Sequence, residues 1–260
     1  MTVAPSTVIV DMDGVLYRGT EAIPGADEAL NRLEQAGHQV VFVTNNSTRT
    51  TKQVAAKLKE VVGYEAAPEQ IVTSATAAVA LLPENASRCM VVGGDGIREA
   101  VLGAGIQMTE DPIQASCVVV GLDRDFDYNT LDRAASAIRG GATFIATNRD
   151  PTFPTSDGLK PGAGSIVAAI EVASGVSPLG AGKPEKPTRD LIHALGVSTA
   201  WVIGDRVDTD IALAAHDPEW TSILVMTGVT AEDDDTGDAD HVVPDVSAAV
   251  DLVLAREDER

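Results

Sequence analysis

The sequence predicts an α/β protein: a parallel sheet covered by helices, with a second α/β unit inserted into it. Three observations predict this. Short β-branched runs alternate with segments of helical periodicity along most of the chain. Strand, helix, strand, helix at such short spacing requires parallel strands joined by right-handed crossovers. The residues able to do chemistry fall in two blocks, one near each end, with a further α/β pattern between them.

Residues 8–10 are β-branched throughout and stop at a polar loop, the mark of a buried strand. Residues 25–36 read as a helix, with Ala26, Ala29, Leu30 and Leu33 on one face and Gly37 as terminator. A strand over 39–43 ends at Thr44, and a helix over 50–62 closes before Gly63. A short strand at 71–74 and a helix at 75–82 follow. The same alternation gives strands at 89–93, 117–121 and 143–147 and helices at 96–102, 128–139 and 164–174. Residues 151–161 are punctuated by proline and glycine and read as loop. Helices at 187–195, 208–216 and 247–254, strands at 200–203 and 222–226, and an extended piece at 241–243 complete the chain. The simplest organisation is a discontinuous core from residues 1–75 and 180–260, with residues 76–179 as an inserted α/β domain.

The 260 residues, 44% of them hydrophobic, suffice for two packed cores. No apolar run is long enough to cross a bilayer, so no membrane partner is expected. No Lys or Arg precedes the first strand, so a cytoplasmic rather than secreted protein is expected. Cys89 and Cys117 each lie in an apolar run and read as free buried thiols. The net charge is −20, from 39 acids against 19 bases, with a dense run at Glu232-Asp233-Asp234-Asp235. That excludes the basic footprint nucleic acid needs. It suits a salt-rich cytoplasm of the haloarchaeal kind, where surface acids are screened over a few ångströms.

In open α/β sheets, ligands bind beyond the carboxyl ends of the strands. Asp11 follows the first strand, Thr44 the second, and Asp205 the run ending at Ile203-Gly204; Lys183 precedes a helix. They can therefore converge. Asp11 and Asp13 supply a carboxylate that could attack phosphorus and another that could move a proton. Gly14 permits a tight turn beside them. A carboxylate cluster with no cation would repel itself and a phosphate. A magnesium ion held by Asp11, Asp205 and a backbone carbonyl resolves that. Lys183 adds a fixed positive charge for phosphoryl oxygens, and Thr44 and Asn45 add hydrogen-bond donors. Taken singly, each piece has a plainer reading: Asp-x-Asp as a cap, Thr44-Asn45-Asn46-Ser47 as a turn, Asp208 and Asp210 as acids favoured by a helix N-terminus. The four in this order, each after the right kind of element, outweigh those readings.

The chain resembles a haloacid dehalogenase (HAD) superfamily phosphatase of the NagD-like or p-nitrophenyl-phosphatase-like family. Asp11-Met12-Asp13-Gly14-Val15-Leu16, Thr44-Asn45-Asn46-Ser47, Gly182-Lys183-Pro184 and Gly204-Asp205-Arg206 with Thr209-Asp210-Ile211 carry the likeness. Ala146-Thr147-Asn148-Arg149-Asp150 and Pro161-Gly162-Ala163-Gly164 extend it. The resemblance implies a Rossmann-like core with a C2-type cap, and Mg2+-dependent hydrolysis of a small phosphorylated metabolite. Sugar phosphate, glycerol phosphate, phosphoglycolate and nucleoside monophosphate are the candidate substrates. It implies Asp11 as nucleophile and Asp13 as general acid and base. It implies magnesium on Asp11, the Asp13 carbonyl and Asp205, with Asp210 supporting that end. Thr44, Asn45 and Lys183 would hold the phosphoryl group, with Asn46 orienting phosphate or substrate. Asn148 and Arg149, near the end of the insert, could face the site. A homodimer paired through the caps is one assembly the resemblance allows. A phosphotransferase on the same core and a phosphate-sensing regulatory protein are the alternatives; a mutase would carry a small cap after the first strand, where the chain is too short for one.

Overall fold

The structure is a computed structural model that describes residues 6–155, 158–230 and 234–258. Residues 1–5, read above for a leader, and residues 232 and 233 of the acidic run lie outside the described residues.

Strand β1, Thr7–Val10, is buried along its whole length. A small antiparallel hairpin follows the Asp11–Asp13 corner, β2 (Tyr17–Arg18) with β3 (Glu21–Ala22). Sequence predicts only a loop there, because two-residue strands are too short to show a period. Helix α1, Ala26–Gln35, buries the predicted stripe of Ala26, Ala29, Leu30 and Leu33. Strand β4, Gln39–Thr44, leads to α2, Thr51–Lys57. A capping box starts α2: Thr50 Oγ1 accepts from Gln53 N at 3.2 Å, and Gln53 Oε1 from Thr50 N at 2.9 Å. The last turn of this helical stretch, Leu58–Val62, is π-helical. Strand β5, Ile71–Thr73, and short α3, Ser74–Ala78, come next.

Then follow β6 (Arg88–Val92), α4 (Asp95–Gly103), β7 (Gln107–Met108), β8 (Cys117–Val120), α5 (Tyr128–Arg139) and β9 (Thr143–Ala146). Helix α5 has the predicted bounds because Asp127 Oδ1 caps it, accepting from Thr130 N at 2.8 Å. Residues 151–161 are not the expected loop. They form an antiparallel hairpin, β10 (Thr152–Thr155) with β11 (Gly158–Pro161). Proline excludes a central strand, but a two-stranded ribbon has an open edge on each side where a missing N–H costs nothing. Helix α6, Ala163–Ser174, and β12, Leu179–Gly180, follow. The chain ends with α7 (Lys186–Ala194), β13 (Ala200–Gly204), a π-helical turn (Val207–Ile211), α8 (Ala212–Ala215), β14 (Trp220–Val225), β15 (His241–Val243) and α9 (Val246–Asp258).

Two parallel sheets result. The first has the order β15-β14-β13-β1-β4-β5 and the second β12-β9-β8-β6-β7. In the first, the chain runs outward from β1 through β4 to β5, then resumes on the other side of β1 with β13. The β1/β13 junction is therefore a topological switch point, the crevice where such sheets bind ligands. Strand alternation builds two apolar layers on this sheet. Val8, Val10, Val40 and Phe42 face α1 and α9 with Leu30, Val246 and Val250. Ile9, Val41 and Val43 face α7 and α8 with Ile192 and Leu213. The second sheet is likewise covered on both faces, by α5 and α6 against Val118 and Val120, and by α3 and α4 against Val119 and Cys89. Cys89 and Cys117, register partners on β6 and β8, are free and buried as expected. Among the described residues, no helix is long and apolar enough to cross a membrane.

Candidate active site

The carboxyl ends of both sheets open into one cleft. The first sheet brings Asp11 (after β1), Thr44 (end of β4) and Asp205 (after β13); the second brings Leu122 and Arg124 (after β8) and Asn148 and Asp150 (after β9). The two ends are tied directly. Thr147 Oγ1 donates to Ser47 Oγ at 3.0 Å, and Asn148 Nδ2 donates to the Asn45 carbonyl at 2.7 Å.

Lys183 is the centre of the site. It is buried, and its ammonium donates to Asp11 Oδ1, to Asp210 Oδ1 at 2.6 Å and to the Val43 carbonyl at 3.0 Å. Burial alone would lower its pKa, but Asp11 and Asp210 outweigh burial and raise it. The charge is therefore permanent. Asp11 in turn is held well above the ordinary carboxylate range, first by burial, against the pull of Lys183, with Asp210 and Asp205 adding repulsion. Asp205 is pushed up to about 7, chiefly by burial and then by Asp210. Asp13 is raised by burial, offset by Lys57, whose Nζ lies 3.7 Å from its carboxylate and 3.6 Å from the Tyr17 ring centroid. Such a set of carboxyls strongly favours a bound cation.

The residues fit magnesium. Asp11, Asp205 and Asp210 each place a carboxylate oxygen within 4.8 Å of the others, a hard all-oxygen donor set. Asp210 is already spent: Oδ1 on Lys183, and Oδ2 accepting from Asp205 N and Arg206 N at 3.2 and 3.1 Å. The π-helical turn makes this reach possible, its wide closure marked by Ile211 N donating to the Arg206 carbonyl at 3.2 Å. By contrast, Asp11 Oδ2 and Asp205 Oδ1 have no hydrogen-bond partner among the described residues. Those two oxygens are the ones left to face a cation.

A shell absent from the sequence reading fixes Asp205. Val229 N donates to its Oδ2 at 2.6 Å and Thr230 Oγ1 to its backbone carbonyl at 2.7 Å, while Thr227 Oγ1 donates to the Gly14 carbonyl at 2.6 Å. Gly14, at φ +94°, and Gly228 leave the room this needs: a Cβ on Gly228 would stand 1.8 Å from Asp205 Oδ2. The signal was a Thr-Gly-Val-Thr run just past the buried strand β14, next to β13. Gly228→Ala is expected to weaken magnesium binding by about 10-fold to 100-fold, as loss of a ligand's outer support does. Magnesium titration of turnover checks it; an unchanged metal requirement would contradict the role given to this loop.

Other predicted residues are placed less directly. Thr44 Oγ1 accepts from Asn46 N at 3.1 Å and keeps its own proton to donate. Asn46 Oδ1 accepts from Thr48 N and Oγ1, and its side chain works against the burial that raises the Asp13 pKa. Asn45 lines the cleft, but its amide is committed to the protein. Its Oδ1 accepts from Lys183 N at 2.7 Å, and its Nδ2 donates to Asp150 Oδ1 at 3.1 Å and the Lys183 carbonyl at 3.3 Å. Asn45 thus clamps the Lys183 loop, and Asn148, bonded to its carbonyl, braces it. Arg149 does not reach the cleft. It donates to the Pro178 carbonyl at 3.1 Å and lies 3.7 Å from Glu171, so it is a structural contact rather than a substrate ligand. Asp150, Arg124, Arg206 and Phe153 line the cleft instead.

The chain is similar to known proteins over most of its length. A family model described as haloacid dehalogenase-like hydrolase matches residues 8–107, and a second, HAD-hydrolase-like, matches 180–249. An acid sugar phosphatase of Staphylococcus aureus is 38% identical over 231 residues, 87% of this chain and 88% of the relative. The crystal structure of a glycerol phosphate phosphatase from Mycobacterium tuberculosis in complex with magnesium superposes with TM-score 0.84 at 34% identity. That match covers 94% of this chain and 75% of the other. A p-nitrophenyl phosphatase from Archaeoglobus fulgidus gives TM-score 0.86 at 28% identity, covering 96% of this chain and all of that one (100%).

Proposed function

The chain belongs to the haloacid dehalogenase-like hydrolases and is a phosphoric monoester hydrolase, and from that premise we propose that it cleaves small phosphate monoesters, sugar phosphates foremost, with Asp11 as nucleophile and magnesium as cofactor. The observation that carries this reading is the buried Lys183 bridge between Asp11 and Asp210, set at the switch point with one oxygen of Asp11 and one of Asp205 left open. The names of relatives acting on sugar phosphate and glycerol phosphate support the substrate class.

On this reading, an oxygen of Asp11 attacks phosphorus and the bond to the leaving alcohol breaks, giving an aspartyl phosphate. Asp13, whose raised pKa keeps it protonated to higher pH than an ordinary carboxyl, gives its proton to the departing oxygen. The resulting Asp13 carboxylate then takes a proton from water. The water oxygen attacks phosphorus, inorganic phosphate leaves and Asp11 is restored. Lys183 steers Asp11 and balances charge on the phosphoryl oxygens, and Thr44 Oγ1 donates to one of them. Magnesium, held by Asp11, the Asp13 carbonyl and Asp205, would neutralise the carboxylates and polarise the phosphoryl group. Residues 76–179 act as a cap over the core of 1–75 and 180–260, excluding bulk water while the phosphoryl group transfers.

Phosphate release from p-nitrophenyl phosphate and a sugar-phosphate panel, with magnesium or with chelator, tests the reading. Equal turnover in excess chelator contradicts it. The pH dependence follows from Asp205. With the carboxyl pushed up to about 7, the metal-free site carries a proton below neutrality that magnesium must displace. The apparent magnesium affinity therefore falls as pH drops below 7, by about tenfold per unit for each proton displaced from Asp205 and Asp11. Calorimetry in buffers of different ionisation enthalpy should show more proton release at pH 6 than at pH 8.

A further inference from the structure

Three cations line the cleft among the described residues: Lys183, Arg206 and Arg124. Two of them are committed to protein carboxylates. Lys183 lies between Asp11 and Asp210, and Arg206 holds Asp208 through Nε at 3.1 Å and Nη2 at 2.7 Å. Arg124 makes no ion pair among the described residues. Its guanidinium carbon sits 6.0 Å from the ring centroid of Phe153, at the limit of a cation–π contact. Both side chains come from the inserted unit, Arg124 from the loop after β8 and Phe153 from the β10–β11 hairpin. The phosphoryl-binding groups Asp11 and Thr44 come from the first sheet, and Lys183, on the loop between β12 and α7, places its ammonium against Asp11. The substrate therefore meets a phosphate-binding end on one side of the cleft and an arginine with an aromatic ring on the other.

An unpaired arginine is an unexpected choice for a neutral alcohol tail. A guanidinium presents a fork of donors matched to the two oxygens of a carboxylate or phosphate and is weakly hydrated, so it gives up water readily for such a partner. The cleft also holds five aspartates, Asp11, Asp13, Asp150, Asp205 and Asp210, which repel any anion not met by a cation. A second anionic group on the substrate would need its own positive partner there, and Arg124 is the one lining cation free to serve.

We propose that the substrate is a phosphate monoester carrying a second anionic group, carboxylate or phosphate, which Arg124 binds while Phe153 covers the carbon skeleton between the two charges. The inference rests on the phosphatase reading and narrows its substrate class.

The experiment compares kcat/KM for glycerol 3-phosphate, phosphoglycolate and a sugar bisphosphate in the parent, Arg124→Gln and Arg124→Lys, with p-nitrophenyl phosphate as a test of phosphatase chemistry. In the parent, a doubly anionic substrate is preferred over glycerol 3-phosphate. In Arg124→Gln that preference falls at least about tenfold, carried by KM rather than kcat, the size expected for losing one charge-assisted contact. Arg124→Lys recovers part of it. A fall confined to phosphoglycolate identifies the carboxylate, and a fall confined to the bisphosphate identifies the second phosphate. A preference ratio the same in the parent and Arg124→Gln overturns the inference, as does a parent that favours glycerol 3-phosphate. Absence of magnesium-dependent p-nitrophenyl phosphate turnover in the parent overturns the phosphatase reading itself, and the inference with it.

Discussion

Asp11→Asn is expected to abolish turnover, by at least about 10^4-fold, while leaving the fold intact. An amide of the same shape cannot attack phosphorus or accept the phosphoryl group, and loss of a nucleophile removes most of the chemical acceleration an enzyme supplies. The substitution does not orphan Lys183, which keeps Asp210 Oδ1 and the Val43 carbonyl. Stability should move the other way from activity. The Asp11 pKa is raised in the fold, chiefly by burial, so the folded metal-free state holds a proton more tightly than the unfolded chain. Stability of the parent in chelator therefore falls as pH rises from the ordinary carboxylate range towards the raised value. Asn carries no such titration. Thermal unfolding in chelator from pH 5 to 8 should show a smaller decline for the variant than for the parent.

Lys183→Met has the second large effect, on both activity and folding. It removes the one buried cation among Asp11, Asp205 and Asp210, whose oxygens approach within 4.8 Å. Breaking a buried pair by deleting one partner leaves charge uncompensated and costs about 3–5 kcal/mol. The loss is pH-dependent with a definite sign. Without the ammonium, the pKa values of Asp11 and Asp205 rise further, so the folded state needs protons and the deficit grows with pH. Towards pH 5, where Asp205 and increasingly Asp11 hold protons, the loss is smaller. Turnover should fall by about 10^2-fold to 10^3-fold, the cost of removing one preorganised positive group from a developing oxyanion. Denaturant unfolding at pH 5 and pH 8 checks the first part and steady-state kinetics the second. A deficit independent of pH would contradict the electrostatic account of this lysine.

Much of the fold was legible because burial and period agree. The strand at residues 8–10 lies inside Thr7–Val10, and the helix at 128–139 has its predicted bounds because Asp127 caps it. What escaped was structure without a period. Tyr17–Arg18 with Glu21–Ala22 is too short to alternate, and the hairpin after Asp150 hides behind its prolines. The π-helical turn at Val207–Ile211 has the composition of an ordinary helix start, and only the geometry around Asp210 distinguishes it.

The groups the proposal assigns to the reaction were legible for a related reason: motif residues sit at strand ends, and strand ends are predictable. Their supports were not. Asn45 sits where a phosphate ligand is expected, yet both ends of its amide are tied to Lys183 and Asp150 across more than a hundred residues of sequence. Arg149 carries the right charge in the right segment, but Glu171 and Pro178 hold it outside the cleft. Gly228 matters only because Asp205 lies where its Cβ would be. These roles depend on which elements meet in space, and a local pattern cannot contain that.

The nucleophile is tested most directly by acid-quenching Asp13→Asn during reaction with p-nitrophenyl phosphate and magnesium, then mapping the phosphorylated peptide by mass spectrometry. Nitrophenolate leaves without a proton, so the first step proceeds without Asp13, whereas the second lacks the base that activates water. The account predicts one phosphoryl group accumulating on Asp11. Steady phosphate release with no phosphorylated peptide, or the group found on another residue, would contradict it.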